Sequence, residues 1–294
     1  MIEEFRVSPI SESCFLHGPA RGRVAVVLDS PHSGIDFPAD FDAAVSEYDL
    51  RDGEDCFVDE LYLPAVEFGI PLLAARHPRT YLDPNRHRGD IDLELIEGGT
   101  WPHEYAPSGK AFIGKALIWR TLDDGRPIYR RRLRVEEVSR RIERCHAPYH
   151  RTLSDLLETT HAAHGMVYHL NCHSMNSVAG LMGEGGAGTE RADFVLGDRD
   201  GTSCDPRFTE FVRATLASMG YLVKVNDPYK GVELVRAFSN PAAGRHSLQV
   251  EINKRLYMDE AARTRNDGFA LLQRSLLQMI DAIRDYIARE QRRA

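Results

Sequence analysis

The pattern of apolar runs predicts an α/β protein of three layers, with helices on both faces of a mainly parallel or mixed central sheet. Three observations predict it. Short apolar runs of strand length recur along the chain, segments of helical periodicity alternate with them, and several runs end in turn-like segments that carry polar, chemically able side chains. At 294 residues the chain exceeds the commonest domain size, yet it contains no internal repeat and no long linker, so residues 1–294 are expected to share one core.

The elements follow in order. Residues 23–29, RVAVVLD, read as a buried strand that opens into the turn SPHSG. From Asp55, the stretch DCFVDELYLPAVEFG has helical spacing, with Asp55 at its start and Gly69 as its stop. IPLLAA is the next strand, and RTYLDPNRHRGD is the strand-like or loop segment after it. Residues 133–164 form a long amphipathic helix closed by Gly165, which Pro148 must kink or divide. MVYHLNCHSM is an apolar strand ending in a histidine-containing turn, and the glycine-rich 183–188 stretch after it reads as a loop. ADFVLGD, LVKVND and SLQVEIN read as strands, PRFTEFVRATLASMG as a helix, and 259–290 as a terminal amphipathic helix. In such sheets ligands collect outside the carboxyl ends of the strands, where SPHSG, NCHSM and the end of LQVEIN would converge.

Composition narrows the function classes. Apolar residues at 43% and charged residues at 28% describe an ordinary globular protein, and the net charge of -7 repels a phosphate backbone, so no nucleic-acid partner is expected. Apolar runs are too short to cross a bilayer, and MIEEFRVSPISESCF lacks the plan of a secretory signal, so no membrane partner and a cytoplasmic location are expected. Five scattered cysteines without a CxxC pair argue against disulfides and against a cysteine-built zinc site.

Among the chemically able residues, His32 is presented from a tight turn in which it either binds a ligand or caps the turn. His173 and His169 share a strand face, but His169 lies about 13 Å deeper and reads as a core histidine. Asp55 opens an acidic helix start, and two histidines with one acid suit a catalytic zinc that keeps one position open for water. Glu251 and Gln249 point to the face opposite Val250 and Ile252, which makes Glu251 a candidate general base or a solvated glutamate. Arg79, Arg86 and Arg88 surround Asn85 in a group able to clamp a carboxylate, with Arg88 assigned to pairing with nearby acids. His146 and His150 have chelate spacing, but Pro148 between them assigns both to the helix surface. A thiol nucleophile at Cys172 is set aside because its neighbour His173 faces the other way.

Taken together, SPHSG at 30–34, EDCFVDELY at 54–62, RTYLDPNR at 79–86, GKALIWRTLDDGRPIY at 114–129, NCHSM at 171–175, NDPYKG at 226–231 and HSLQVEINKRLYM at 246–258 resemble the N-formylglutamate amidohydrolase family. That family is similar in design to zinc carboxypeptidases and aspartoacylases, so the resemblance implies a zinc-carboxypeptidase-like fold. It also implies Zn2+ on His32, Asp55 and His173, Glu251 as catalytic base, and Asn85, Arg86 and Arg79 on the substrate carboxylate, with Lys230 or Arg236 on a second. Carboxypeptidases place the acid three residues after the first histidine, where this chain has Ile35, so the resemblance puts Asp55 in that role. Two further departures, Asn171 for a frequent aspartate and Gly231-Val232 for a double glycine, bear on the substrate. The implied reaction releases formate and glutamate from N-formylglutamate, which would place the chain in histidine degradation. The alternatives are another N-acyl amino acid or short peptide as substrate, or a metal-free protein that binds an acidic ligand.

Overall fold

The computed structural model describes residues 8–181, 183 and 185–292. Its centre is an eight-stranded mixed sheet of β1 (Ser8–Ser11), β2 (Cys14–His17), β3 (Val26–Ser30), β4 (Leu72–Ala75), β5 (Val167–Met175), β6 (Phe194–Gly197), β7 (Val223–Val225) and β8 (Arg245–Asn253). The order is β1-β2-β4-β3-β5-β8-β6-β7. The central four, β4-β3-β5-β8, run parallel, β2 joins β4 antiparallel, and β6 joins β8 antiparallel. Every residue of β3 and β5 is buried. A strand covered on both faces reads as a near-continuous apolar run, as the start of β3 does, whereas β5, VYHLNCHSM, interleaves apolar residues with polar ones that the tertiary structure satisfies.

Beyond the single turn of α1 (Glu47–Leu50), the helices divide between the faces. Short α2 (Val58–Tyr62), α5 (Pro206–Ser218) and α7 (Phe269–Gln291) pack with Val26, Leu28, Leu170, Cys172, Leu248 and Val250 in one core. On the other face Tyr149, Leu153, Leu156 and Leu157 of α4 (Ala147–His164) pack with Val27, Leu73 and Val167. The expected three layers are therefore present. Strand alternation sends Asp29, His169, Asn171, His173, Ser247, Gln249 and Glu251 toward the α4 side, and the site develops there, at the carboxyl ends of β3, β5 and β8. Among the described residues no helix is long and apolar enough to cross a membrane.

Three elements differ from expectation. The long helix is α3 (Val135–Arg141) and α4 joined by a π turn at Ile142–His146, where Ala147 N–H reaches Ile142 O. Pro148 has no N–H to give and would crowd the carbonyl four residues back; the wider turn accommodates it without a break. The terminal helix begins ten residues later than 259, at Phe269, because Met258–Asp259 (β9) and Thr264–Arg265 (β10) form a small hairpin. Asn266 then caps the turn at Gly268 through its side chain. Most of residues 76–134 are irregular and build a second small core, including Tyr81, Leu82, Ile91, Leu117, Trp119 and Leu133, which stands beside the site.

Candidate metal centre and active site

His32 leaves β3 in the turn Ser30–Gly34. A Cβ on Gly34 would sit 2.4 Å from His77 O, so this turn closes against the 76–77 backbone only with glycine. Asp55 is held beside it by its backbone N–H, which donates to His32 O at 3.0 Å. Phe57, two residues on, adopts the left-handed conformation at φ 62°, a strained arrangement that turns the chain from Asp55 into α2. His173 comes from β5. All three side chains are buried, and one ligand atom from each lies within 4.8 Å of the others. The contacts are His32 Nδ1 to Asp55 Oδ2 at 3.3 Å and His173 Nδ1 to Asp55 Oδ2 at 3.0 Å.

The partners of the other ring nitrogens decide what these contacts mean. His32 Nε2 lies 2.7 Å from Asp83 Oδ1, and an ionised carboxylate only accepts, so the proton of the neutral ring is on Nε2. Asp83 is ionised: burial alone would raise its carboxyl, but the charge of Arg79 and the hydrogen bond from His32 hold it well below the usual range. His173 Nε2 has Asn171 Oδ1 at 2.8 Å. The Asn171 amide cannot turn over, because its Nδ2 donates to the buried Asp29 Oδ1 at 2.8 Å. Asn85 Nδ2, 3.2 Å from the same ring nitrogen, is the weaker neighbour, so this proton too is on Nε2.

Two Nδ1 lone pairs and a carboxylate oxygen thus face one point. Such a group is able to hold a cation. A proton on His173 is disfavoured, because burial pushes that imidazole's pKa down more than Asp55 pulls it up. For Asp55, burial would raise the carboxyl's pKa, but the two imidazoles packed against it outweigh burial and hold it far below the ordinary range. Two imidazole nitrogens whose outer N–H groups are bound to a carboxylate and an amide, together with one carboxylate, form a donor set that fits zinc with an open fourth position.

Glu251 pairs in register with His173, and its Oε1 accepts from Gln249 Nε2 at 2.9 Å. Both line a cavity of about 550 Å³ that His32, Asp55 and His173 also line. Of the residues expected to hold substrate, Arg79, Asn85, Arg86 and Lys230 line it as well. Arg79 donates to Asp83 Oδ2 at 2.7 Å and lies 5.0 Å over the Trp119 ring. Burial would lower the Arg79 pKa, but Asp83 and Asp55 raise it, so the guanidinium stays charged. Lys230 is at the rim, with Nζ 3.0 Å from Asp200. Arg236 is not among the lining residues; it sits in α6 (Glu233–Ala237) and pairs with Glu233, one turn earlier, at 2.7 Å.

His169 is the satisfied core histidine expected, bonded to Ser247 Oγ at 2.7 Å and Asp29 Oδ1 at 2.8 Å. Cys172 is buried in the opposite core, and burial pushes its thiol well above the ordinary range. His146 and His150 are not surface residues. Their rings stack at 3.9 Å, and their Nε2 atoms meet Arg86 O at 2.9 Å and Pro84 O at 2.7 Å.

Sequence reasoning missed several residues of the cavity wall, among them Lys115, Trp119, Arg191, Tyr229 and Lys254. Lys115 Nζ lies 3.6 Å from the Trp119 ring and 2.7 Å from Asp123. Both come from the irregular 76–134 region, where no periodicity points to a site. Arg191 enters because β6 runs antiparallel, which brings the start of that strand to the end of β8.

The sequence profile described as N-formylglutamate amidohydrolase matches residues 24–258. The chain is 32% identical over 246 residues to a Pseudomonas aeruginosa protein named N-formylglutamate deformylase, covering 82% of this chain and 85% of that one. It is 29% identical over 244 residues to a Pseudomonas putida protein of the same name, covering 82% and 84%. The crystal structure of an N-formylglutamate amidohydrolase from Ralstonia eutropha superposes with a TM-score of 0.88 at 45% identity, over 95% of this chain and 99% of that one.

Proposed function

Because the chain belongs to the N-formylglutamate amidohydrolase family, whose named relatives hydrolyse an amide, we propose that it cleaves N-formylglutamate to formate and glutamate at a zinc centre formed by His32, Asp55 and His173. The observation that carries this reading is the convergence of two imidazole lone pairs and a carboxylate beside Glu251, in a cavity that also contains Arg79 and Arg86. Zinc bound there supplies Lewis acidity toward the scissile carbonyl and toward water.

The chain's own residues do the rest. Glu251, oriented by Gln249, takes a proton from the attacking water and delivers it to the amine nitrogen as the C–N bond breaks. The water oxygen ends on the formyl carbon and its two protons end on the amine, which gives formate and an ammonium group. Arg86 and Asn85, with Arg79 behind them, hold one substrate carboxylate, and Lys230 at the rim attracts the other.

Formate release from N-formylglutamate by zinc-loaded protein, measured beside a chelated sample, tests the proposal. Release that the chelator abolishes supports metal and substrate together. No release from protein that holds one zinc per chain refutes the substrate assignment. A second reading, hydrolysis of a longer N-acyl amino acid, is favoured by the apolar wall residues Ile113, Val178 and Val232, which a formyl group alone does not need. A panel of N-acyl glutamates separates the two readings.

A further inference from the structure

The 83–86 segment carries both a bond to the metal site and the substrate clamp, yet it belongs to no helix or strand. On the cavity side its fixings are clear. Asp83 accepts from His32 and Arg79, Asn85 N–H returns to Asp83 Oδ1 at 2.9 Å, and Asn85 Oδ1 accepts from Leu234 N–H at 2.9 Å. The carbonyls of Pro84 and Arg86 instead meet the start of α4, at His150 and His146.

We infer that His146 and His150 form a stacked pair of positioning residues that hold the peptide groups flanking the Asn85-Arg86 pair, and thereby aim Asn85 and Arg86 at the substrate carboxylate. The chemistry requires histidine in this place. A buried carbonyl needs a donor, and a lysine or arginine would bring an unneutralised charge to a site that is already cationic. A neutral imidazole offers one N–H on a flat, stiff ring. Burial, with His150 adding to it, lowers the His146 pKa to about 3, and burial also lowers that of His150, so both rings are neutral near pH 7. Stacking at 3.9 Å and 22° braces each ring against its neighbour, and Phe238 closes on His150 at 5.6 Å. The π turn at Ile142–His146 puts a local departure from regular helix at the first of the two rings, where helices often serve a site.

The inference rests on the reading that Asn85 and Arg86 contact substrate, and the experiment separates the two. Full-length, zinc-loaded His146→Leu and His150→Leu are assayed with N-formylglutamate, beside His→Gln variants, whose side-chain amide reaches about as far as Nε2, and His→Asn variants, whose amide does not. Misplacing a clamp by about 1 Å can cost up to about 100-fold. The Leu and Asn variants are expected to raise KM by ~10-fold or more with kcat within about threefold of wild type, and with zinc content unchanged; the Gln variants are expected to restore most of KM. Should the Leu variants fail to fold, the contrast between Gln and Asn carries the test. A normal KM in folded Leu or Asn variants, or Gln variants no better than Asn, overturns the inference. Arg86→Met is the control: if it raises KM while the histidine variants do not, the positioning role alone is refuted, and if it leaves KM unchanged, the clamp reading itself fails.

Discussion

Replacing Asn171 with Leu tests the account of the metal centre most directly, because Asn171 touches neither the cation position nor the cavity. The substitution removes two 2.8 Å bonds, one fixing the proton of His173 on Nε2 and one satisfying Asp29. Without the first, Asn85 Nδ2 at 3.2 Å becomes the neighbour of Nε2 and favours the opposite tautomer, in which Nδ1–H points at Asp55 Oδ2. A metal must then displace that proton. Loss of such an outer partner costs about 10- to 100-fold in affinity, or about 1.4–2.7 kcal/mol. The second loss falls on folding. Asp29 is fully buried and keeps donors from His169 and Tyr149, so removing the third costs roughly 1–3 kcal/mol. Zinc competition against a chromophoric chelator gives the affinity, and urea denaturation with and without zinc gives both stabilities. At one free zinc concentration, the stabilisation by zinc should shrink by about the same 1.4–2.7 kcal/mol. A variant with wild-type zinc affinity would refute the tautomer argument, even if its fold were weakened.

Two other outcomes are expected. Glu251→Gln should keep its zinc, since Glu251 is not among the three grouped ligands, while turnover falls by at least about 100-fold; near-normal turnover would remove it from the base role. Stability of the metal-free protein should fall as pH drops below the unfolded histidine value of 6.5, because the unfolded chain takes up protons that the folded His146, with its pKa of about 3, refuses. The slope approaches about 1.4 kcal/mol per pH unit from His146, and His150 adds to it with the same sign. Below the ordinary aspartate value of about 3.9 the depressed carboxyls of Asp55 and Asp83 add their own loss. Urea denaturation with chelator present at pH 7.5, 6.0 and 5.0 reads this, and a flat profile contradicts the neutral, buried state of the pair.

What could be read from the amino-acid order alone was what local pattern encodes. Val26–Leu28 is covered on both faces and appears as an apolar run, and the turn after its strand announced His32, whereas His173, expected in a turn, lies within β5, where apolar and polar residues alternate. Strand alternation put Gln249 and Glu251 on one face, and the two residues do line the cavity together. The ordered set of motifs tied Asp55, Asn85 and Arg86 to the same site, where local spacing left each with a bland alternative.

Tertiary structure decided whatever depends on partners distant in sequence. The direction in which β6 joins β8 has no signature within either strand, and it alone brings Arg191 to the cavity. Arg236 and Lys230 look alike as nearby cations, but an ion pair within one helical turn draws Arg236 to Glu233. His146 and His150 read as surface because periodicity describes which residues share a helix face and not what covers that face; here it is the irregular 83–86 segment, whose carbonyls require their N–H groups. The proton positions on His32 and His173 depend likewise on Asp83, which an irregular segment brings to His32, and on Asn171 and Asp29, which meet when β3 and β5 pair, and these partners leave the two Nδ1 atoms and Asp55 as a donor set able to hold a cation.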